Sequence, residues 1–468
     1  MCSTTFSLIN LAHLPSSPLH TLDEQPPLTS TTTTKKMPKD MQTPPGTGHV
    51  GTMTPDQKEL LKEMWSQIFS IADSGTINIP TDLLAATETA SAGSETASVK
   101  SKTATKKGWF GTSKAAPPAA AAGEDTPSTR VNLADIGLSV EQLRPALWNN
   151  ILGDHPDSLL LRFLRARKWN VTNGMTMILK AFKWRLEDDI EEVKSKSEDE
   201  LDAKYRGFRL QMELGKSFVH GTDKEGRPVV YINVRLHKPA DQDPKALEKF
   251  TIYVMEVGRL MIQPPVETAC LVFDMTGFGL ANMDYNFVKF LVQCFEAYYP
   301  ESLGILIIHK APLVFWGVWK IIEPWLDPVV ASKIRFTRGD KELTEVIEAE
   351  RLPNKYEGGK DQFTYQYIPV QAGENDRMKD TETKERLLDE WKTHMWKFEA
   401  LTREWIECKK VEGARDEDVI ENERNALAKE LRVAYFKLDP YIRARNLYHR
   451  SEHPVLQADG TSVWTYKN

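Results

Sequence analysis

A dense basic cluster lies in the segment DSLLLRFLRARKWNV, residues 157–171. Its cations are Arg162, Arg165, Arg167 and Lys168. A guanidinium binds phosphate through paired N–H donors, and partial burial strengthens that contact. The cluster is therefore either an anion site or a solvated basic helix face, and on this motif alone the solvated face is favoured.

An aromatic ridge follows in APLVFWGVWKIIEPWLDPVVASKIRF, residues 311–336. Its large apolar side chains are Phe315, Trp316, Trp319, Ile322 and Trp325. Pro324 and Pro328 interrupt the chain near the end of the ridge. Such a ridge indicates either a helix packed in a core or a movable helix whose amphipathic aromatics meet the interface of a bilayer.

A glycine pair, Gly277 and Gly279, follows a predicted strand as a dinucleotide fingerprint would. The third glycine is missing and no ribose-binding acid is evident, so a plain strand-to-helix turn is the better interpretation. Asp274 ends the same strand without a partner base, and we expect it to cap or pair structurally. No GxSxG, Walker lysine loop, HExxH or His/Cys cluster occurs. The sequence therefore predicts neither a catalytic residue nor a metal site.

The composition narrows the possible partners. The 468-residue chain has a formal net charge of -6, which argues against nucleic-acid binding. Hydrophobic residues make up 41% of it, but no run of about 18 apolar residues predicts a membrane-spanning helix, so any membrane contact is expected to be peripheral. The four cysteines form no CxxC pair, which fits a reducing cytosol.

Low-complexity stretches indicate how the N-terminal part is organised. Residues 1–50 are rich in Ser, Thr and Pro and are predicted to be a disordered tail; a transit peptide is disfavoured because the first 22 residues contain no Lys or Arg. Thr54 and Pro55 are typical of a helix start, and residues 51–75 are predicted to form a helix that packs on the following helical subdomain. Residues 76–135 are predicted to be a flexible insertion.

The sequence pattern divides the rest of the chain into three parts. Residues 136–204 have helical periodicity, and residues 205–366 alternate short apolar strands with amphipathic helices, which predicts an α/β domain with a largely parallel sheet. The strands are predicted at 229–234, 269–275, 304–310 and 333–337, and the helices at 244–262, 283–297, 313–323 and 341–350. The seven-residue spacing of Trp391, Phe398 and Trp405 indicates a C-terminal helical hairpin within 380–440.

Six stretches in this order resemble the CRAL-TRIO lipid-binding family, in particular the fungal phosphatidylinositol transfer branch with a C-terminal helical extension. They are LLRFLRARKWNV, DKEGRPVVY, CLVFDMTG, YYPESLG, APLVFWGVW with PWLDPVVASKI, and LPNKYEGG, and the resemblance covers residues 139–360. It implies a helical subdomain beside a mixed, mostly parallel sheet whose flanking helices enclose a lipid pocket.

The implied function is the exchange of phosphatidylinositol monomers between membranes through a gated hydrophobic pocket, without enzymatic activity or a cofactor. The ligand is then a phospholipid, the partner is a transient membrane surface, and the protein is expected to be a cytoplasmic monomer. The alternative is a lipid sensor or adaptor that presents its bound lipid to a partner or a lipid kinase.

The resemblance also implies roles for particular residues. Arg167, Glu301 and Lys333 match headgroup-binding positions, and their types suit phosphate and inositol hydroxyls. The ridge formed by Phe315, Trp316, Trp319, Ile322 and Trp325 becomes the gate helix and its membrane contact.

Three positions depart from the family pattern. Ala269 and Leu271 replace the hydroxyl-bearing positions used for phosphatidylcholine, so a second, more apolar ligand such as a sterol or a squalene-like lipid is expected. Val330 replaces a threonine of the inositol site, which weakens the inositol assignment.

Overall fold

The computed structural model describes residues 46–74, 76–78, 130–408, 413, 415–451 and 453–467. Most of the tail predicted at 1–50 therefore lies outside the described residues, as do residues 79–129 of the insertion predicted at 76–135. The ends of that segment contain regular structure. Strand β1 (Thr76–Asn78) pairs antiparallel with β2 (Arg130–Asn132), so the two ends lie side by side.

Helices make up the N-terminal part of the described chain. Helix α1 spans Pro55–Ser74. The helices after β2 are α2 (Leu133–Ile136), α3 (Val140–Ile151), α4 (Pro156–Ala166), α5 (Val171–Glu187), α6 (Ile190–Ser195), α7 (Glu198–Lys204) and α8 (Phe208–Glu213). Ser139 and Ser197 start α3 and α7 with capping boxes, in which the hydroxyl and a side chain three residues on satisfy backbone N–H groups that the helix leaves free.

A five-stranded sheet forms the centre of the second part. Its strands are β3 (Ser217–Thr222), β4 (Pro228–Asn233), β5 (Ala269–Asp274), β6 (Leu303–His309) and β7 (Ile334–Thr337). They lie in chain order; β3 and β4 are antiparallel, and the other three pairings are parallel. The helices between them are α9 (Pro244–Met261), α10 (Tyr285–Gln293), α11 (Leu313–Ile322) and α12 (Pro328–Ser332). The predicted α/β class with a mostly parallel sheet is confirmed.

The strand order determines which face of the sheet the helices cover. Crossovers between parallel strands are almost always right-handed. Strands β5, β6 and β7 are each added to the same edge of the sheet, so every right-handed crossover between them lies on the same face of the sheet. Helices α9, α10 and α11 therefore share one face of the sheet, and the other face is left for separate packing.

Two details differ from the sequence prediction. Strand β3 was not predicted, because Gly221 (φ +65°) and a register shift between Val219 and Thr222 break its alternation. The helix predicted at 341–350 is wrong: a 3₁₀ helix at Asp340–Glu345 is followed by turns. The carbonyls of Val346 and Ala349 accept hydrogen bonds from distant segments and so cannot continue a helix.

The C-terminal part returns to the helical subdomain. Helices α13 (Thr381–Glu407) and α14 (Glu417–Ile442) pack on each other, and Trp391, Phe398 and Trp405 join Trp65 and Trp148 in one continuous apolar core. Helix α15 (Leu447–Ser451) and the short strands β8 (Val455–Leu456) and β9 (Ser462–Val463) follow. They run beside β3, where the hydroxyls of Tyr448 and Tyr466 accept hydrogen bonds from the backbone N–H groups of Val219 and Thr222.

A buried ion pair joins these helices. Arg424 donates to the Asp157 carboxylate at 2.7 Å and to the Thr402 hydroxyl at 3.1 Å, while Trp65 donates to Asp157 at 2.8 Å. Burial alone would raise the pKa of Asp157, but the Arg424 guanidinium, His155 and the hydrogen bond from Trp65 together outweigh burial, and the pKa is lowered from its ordinary value of 3.8. The cluster connects α1, α4, α13 and α14 in a single network.

We expect Arg424→Met to lower the free energy of unfolding by about 3 kcal/mol, because Asp157 would remain buried without its cation. The matched control is Arg415→Met on an exposed ion pair near the start of α14, which should leave the free energy of unfolding nearly unchanged because water screens this pair. Urea unfolding followed by circular dichroism measures both.

The same pair predicts a pH dependence. The folded-state pKa of Asp157 is depressed, so its contribution is fully present above pH 3.8 and is lost as the pH falls through the lowered pKa. The difference between wild type and Arg424→Met should therefore shrink on acidification. A difference that is constant from pH 7 to pH 3 would contradict the role given to this pair.

Candidate functional site

An apolar cavity of about 310 Å³ lies between the sheet and helices α9, α10 and α11. Its size falls within the range of about 300–1,000 Å³ that is usual for ligand pockets. The wall consists mainly of aliphatic and aromatic side chains, and its charged residues are Lys216, Arg259, Asp284 and Glu296. Such a cavity suits a ligand that is largely hydrocarbon.

The alternation of side chains along the strands explains why this face is apolar. Ala269, Leu271 and Phe273 of β5 line the cavity, whereas Cys270 and Val272 point into a separate core behind the sheet. Successive residues of a strand face opposite sides, so strands apolar throughout supply both a cavity wall and a packed core. Ala269 and Leu271, the two departures noted above, therefore present no hydroxyl to the cavity.

Helix α11 closes one side of the cavity with its aromatic ridge. Phe315, Trp319 and Ile322 line the cavity. Trp316 instead packs on Phe336, with ring centroids 4.8 Å apart. Trp325 lies just beyond the helix, and its ring centroid is 6.1 Å from that of Tyr285. The Lys289 ammonium lies 5.3 Å from the centroid of the Trp325 ring.

The outer surface of α11 is aliphatic, not aromatic. The tryptophans of the ridge are partly buried, whereas Leu313 is 80% exposed and Ile321 is 48% exposed. Val314 and Val329 are exposed nearby. Helix α11 therefore has apolar residues on both its buried and its exposed side. An exposed apolar surface of this kind is unusual in water and marks a contact site for a membrane or a protein.

Glu301 and Lys333, two of the three residues predicted to bind the headgroup, precede β6 and β7 and so lie near the amino ends of the parallel strands. Lys333 Nζ is 3.5 Å from Glu301 Oε2, and both side chains are about three-quarters buried. The backbone of Glu301 is left-handed (φ +54°), a strained conformation for a residue with a side chain. The structure thus brings Lys333 and Glu301 together.

Arg167 is distinguished from the other cations of its cluster. Arg165 pairs with Glu267 at 2.9 Å, and Arg162 lies 3.9 Å from Asp154. Arg167 donates to the carbonyl of Ala166 and has no carboxylate within ion-pair distance among the described residues. Burial lowers its pKa, which Asp327 and Glu296 partly oppose from nearby. Arg167 is therefore the half-buried cation that this cluster leaves available to a ligand.

Two family models match the part of the chain that forms this site. The CRAL/TRIO domain model matches residues 212–358, and the CRAL/TRIO N-terminal domain model matches residues 130–180. A CRAL-TRIO domain-containing protein of Schizosaccharomyces pombe is 37% identical over 87% of this chain and 92% of its own length. The chain belongs to the CRAL-TRIO family.

Two further relatives carry functional names. The phosphatidylinositol transfer protein CSR1 of Eremothecium gossypii is 36% identical over 86% of this chain and 97% of its own length. The SEC14 cytosolic factor of the same organism is 32% identical over 44% of this chain and 70% of its own length. The likeness to the first therefore extends well beyond the CRAL-TRIO domain.

Family membership decides between the lipid-binding and enzymatic interpretations. CRAL-TRIO proteins bind and transfer lipids and are not enzymes, so the prediction of a lipid-binding non-enzyme is confirmed at the level of the family. Asp274 has a structural role: it accepts hydrogen bonds from the backbone N–H of Thr276 and the hydroxyl of Tyr356. Among the described residues, no helix is both long and apolar enough to span a bilayer.

Several polar residues of the CRAL-TRIO cavity were not predicted from the sequence. Glu296 lines it near Arg167 and accepts a hydrogen bond from the backbone N–H of Asp327, while burial raises its pKa. Lys216, His237 and Asp284 line it near the carboxyl end of β4. A single charge in the apolar run before YYPESLG signals Glu296, but no local pattern points to the other three, because the fold alone brings them together.

We expect Gly258→Phe to reduce the amount of co-purifying lipid. Gly258 lies in the cavity wall on α9, and a side chain added there meets no atom within 4 Å, so a phenyl ring would occupy ligand space. Gly258→Ala is the matched control: it should keep its lipid and gain about 0.5–1 kcal/mol from helix propensity. Lipid extraction with mass spectrometry and a thermal melt test the pair; equal lipid in both variants would contradict this position for the ligand.

Proposed function

We propose that the protein exchanges phosphatidylinositol between membranes as a carrier, with the acyl chains in the cavity behind α11. The observation that carries this proposal is a cavity with a mainly apolar wall, closed by a helix with an exposed apolar surface. The similarity to the phosphatidylinositol transfer protein CSR1 over nearly the full length of that relative supports the same lipid.

The energetics of lipid chains explain why a carrier needs such a cavity. Each methylene that leaves water contributes about 0.8 kcal/mol, so two chains with roughly 30 methylenes would cost on the order of 25 kcal/mol to expose. A dry cavity removes this barrier. Exchange then needs opening at a membrane and replacement of one lipid by another, without a chemical step.

Three polar side chains are the proposed contacts of the inositol phosphate. Lys333 and Arg167 supply donors to phosphate, and Glu301 accepts from inositol hydroxyls. Glu301 also orients Lys333, since the two side chains lie 3.5 Å apart. Val330, which stands where the family pattern has a threonine, lines the cavity and offers no hydroxyl to the proposed inositol site.

The aliphatic surface of Leu313, Val314, Ile321 and Val329 is the proposed membrane contact. Aliphatic side chains of this kind enter the boundary between headgroups and acyl chains, and the partly buried tryptophans then pack behind them. On this proposal the protein is a cytoplasmic monomer that associates with membranes transiently.

The second ligand of the exchange is proposed to be more apolar than phosphatidylcholine. Ala269 and Leu271 line the cavity without a hydroxyl, so a choline phosphate there would lose hydrogen bonds to water and gain none.

The adaptor alternative needs a test other than deletion of the hairpin. Trp391, Phe398 and Trp405 are buried in the same core as Trp65 and Trp148, so removing residues 380–440 would expose that core. Loss of function in the deletion would then report unfolding. Substitutions on the exposed surface of α13, such as Trp396→Ser (50% exposed), discriminate instead: transfer should survive, whereas an adaptor function should not.

We expect Lys333→Ala to lower phosphatidylinositol transfer by at least about tenfold, because a charged hydrogen bond to phosphate contributes about 1.5–3 kcal/mol. Lys341→Ala is the control, since Lys341 is a highly exposed lysine paired with Glu357 on the surface. Transfer of labelled phosphatidylinositol between vesicles measures both variants. Normal transfer by Lys333→Ala would remove this lysine from the site.

We expect the double variant Leu313→Ser, Ile321→Ser to bind vesicles about tenfold more weakly or worse, since each apolar side chain buried in the membrane contributes about 1.5–3 kcal/mol. Val419→Ser changes an equally exposed residue on α14 and should bind vesicles normally. Vesicle flotation measures binding. Equal binding by the double variant and wild type would place the membrane contact elsewhere.

A further inference from the structure

Lys216 is a buried cation in the wall of the apolar cavity. The residue is 5% exposed, and it immediately precedes β3. Its ammonium donates to Gln242 Oε1 at 2.8 Å, the single side-chain hydrogen bond that it makes within the described chain. No described carboxylate lies within ion-pair distance of it. A buried charge is ordinarily paired, so this one is exceptional.

Gln242 holds the ammonium in place. Its side-chain N–H groups donate to the carbonyls of Lys238 and Pro239 at 3.1 and 3.2 Å, which fixes the direction of its own carbonyl. That carbonyl accepts from Lys216 and, at 3.3 Å, from Gln211. Lys216 is thus positioned by a neutral acceptor, which orients the charge without compensating it.

The neighbouring titratable groups leave the charge uncompensated. Burial lowers the pKa of Lys216 to about 8, against a weaker opposing effect of Asp241. Burial and the Lys216 charge lower the pKa of His237. Its Nε2 lies 3.7 Å from Asp284 Oδ2 and has no hydrogen-bond partner in the described structure. Asp284 is directed at His237 and at the backbone N–H of Phe287, not at Lys216.

Lys216 lies at the far end of the cavity from the proposed headgroup site. Glu301 and Lys333 precede β6 and β7, at the amino ends of the parallel strands, whereas Lys216 lies beside the carboxyl end of β4, where Ser217 pairs with Ile232. A six-residue strand spans about 20 Å. The cavity therefore has polar groups at both ends and hydrocarbon between them.

We propose that Lys216 binds the carboxylate of a long-chain fatty acid whose tail occupies the cavity, which makes fatty acids a ligand class of this chain. The ammonium would gain the anion that the protein does not supply, and the tail would lie against Leu271 and its apolar neighbours. A hydroxyl lipid would offer a hydrogen bond without neutralising the charge. A phosphate is less suited, because the planar guanidinium fork that recognises it is absent from the lining near Lys216.

This inference rests on the proposed carrier function, of which it names the second cargo. It is tested on the full chain by fluorescence titration with cis-parinaric acid and with its methyl ester, which has the same chain but no charge. Wild type should bind the acid at least about tenfold more tightly than the ester. Lys216→Met should lose that preference and keep its affinity for the ester, which also reports that the variant is folded.

Lys238→Met is the matched control, since Lys238 is an exposed lysine on the same segment and contributes only its carbonyl to Gln242. It should bind the acid as wild type does. A Lys216→Met variant that prefers the acid as strongly as wild type would overturn the proposal. So would equal affinity of wild type for acid and ester.

The pH dependence gives an independent readout. The ammonium binds an anion only below its pKa, so the affinity of wild type for the acid should fall as the pH rises through about 8 and above. A bound carboxylate raises the pKa of Lys216, so the decline begins near pH 8, the pKa of the ligand-free state, and ends only at the higher pKa of the bound state. Affinity for the ester should stay constant across this range, and Lys216→Met should show no decline for either probe. A wild-type affinity for the acid that does not change up to pH 10 would contradict the role of Lys216.

Two further measurements separate the possible failures. Displacement of the probe by oleate, but less readily by an oleoyl lysophosphatidate, supports a carboxylate; stronger, Lys216-dependent displacement by the phosphate lipid would overturn that choice. Phosphatidylinositol transfer is measured on the same preparations. If wild type does not transfer phosphatidylinositol but shows a Lys216-dependent preference for the acid, the carrier function is rejected and the fatty-acid site stands. If wild type transfers phosphatidylinositol but shows no such preference, the fatty-acid site is rejected and the carrier function stands.

Discussion

A cavity inside a small domain removes packing contacts from the walls around it, so the stability of the fold depends on what lies behind those walls. The sheet is backed by a core that includes Cys270, Val272 and Ile307. Helix α9 is backed by α6 and α8, and Phe208 of α8 packs on Phe250 and Tyr253 of α9. The walls can stay apart because each of them belongs to a packed layer of its own.

The C-terminal hairpin has a place in this arrangement. Together with α1 it completes the core of the helical subdomain, and the Asp157 and Arg424 pair fixes the register of four helices at once. Arg259 then links α9, in the cavity wall, to Asn150 and Asp154 of that subdomain. The extension beyond the CRAL-TRIO domain is therefore a structural support of the lipid-binding part, whatever else its surface does.

The sequence predicted the elements whose patterns are local. Four of the five main strands and the aromatic ridge follow from short apolar runs, and the α/β class follows from their alternation. Strand β3 was missed because its pairing depends on β4 and on a bulge. The outward side of α11 could not be inferred, since a helix with apolar residues on every side has no polar stripe to mark the solvent. Lys216 was missed for a similar reason: its significance comes from Gln242 and from a cavity formed by distant segments.

Strand β3 is an edge strand, and unpaired edges invite other strands to add to them. Here Tyr448 and Tyr466 occupy two of its backbone N–H groups, but Tyr448 lies 229 residues further along the chain than Val219. During synthesis the sheet can form long before this cover exists. Until the C-terminal segment has been synthesised and has docked, the edge strand lacks these two partners and is open to wrong pairing.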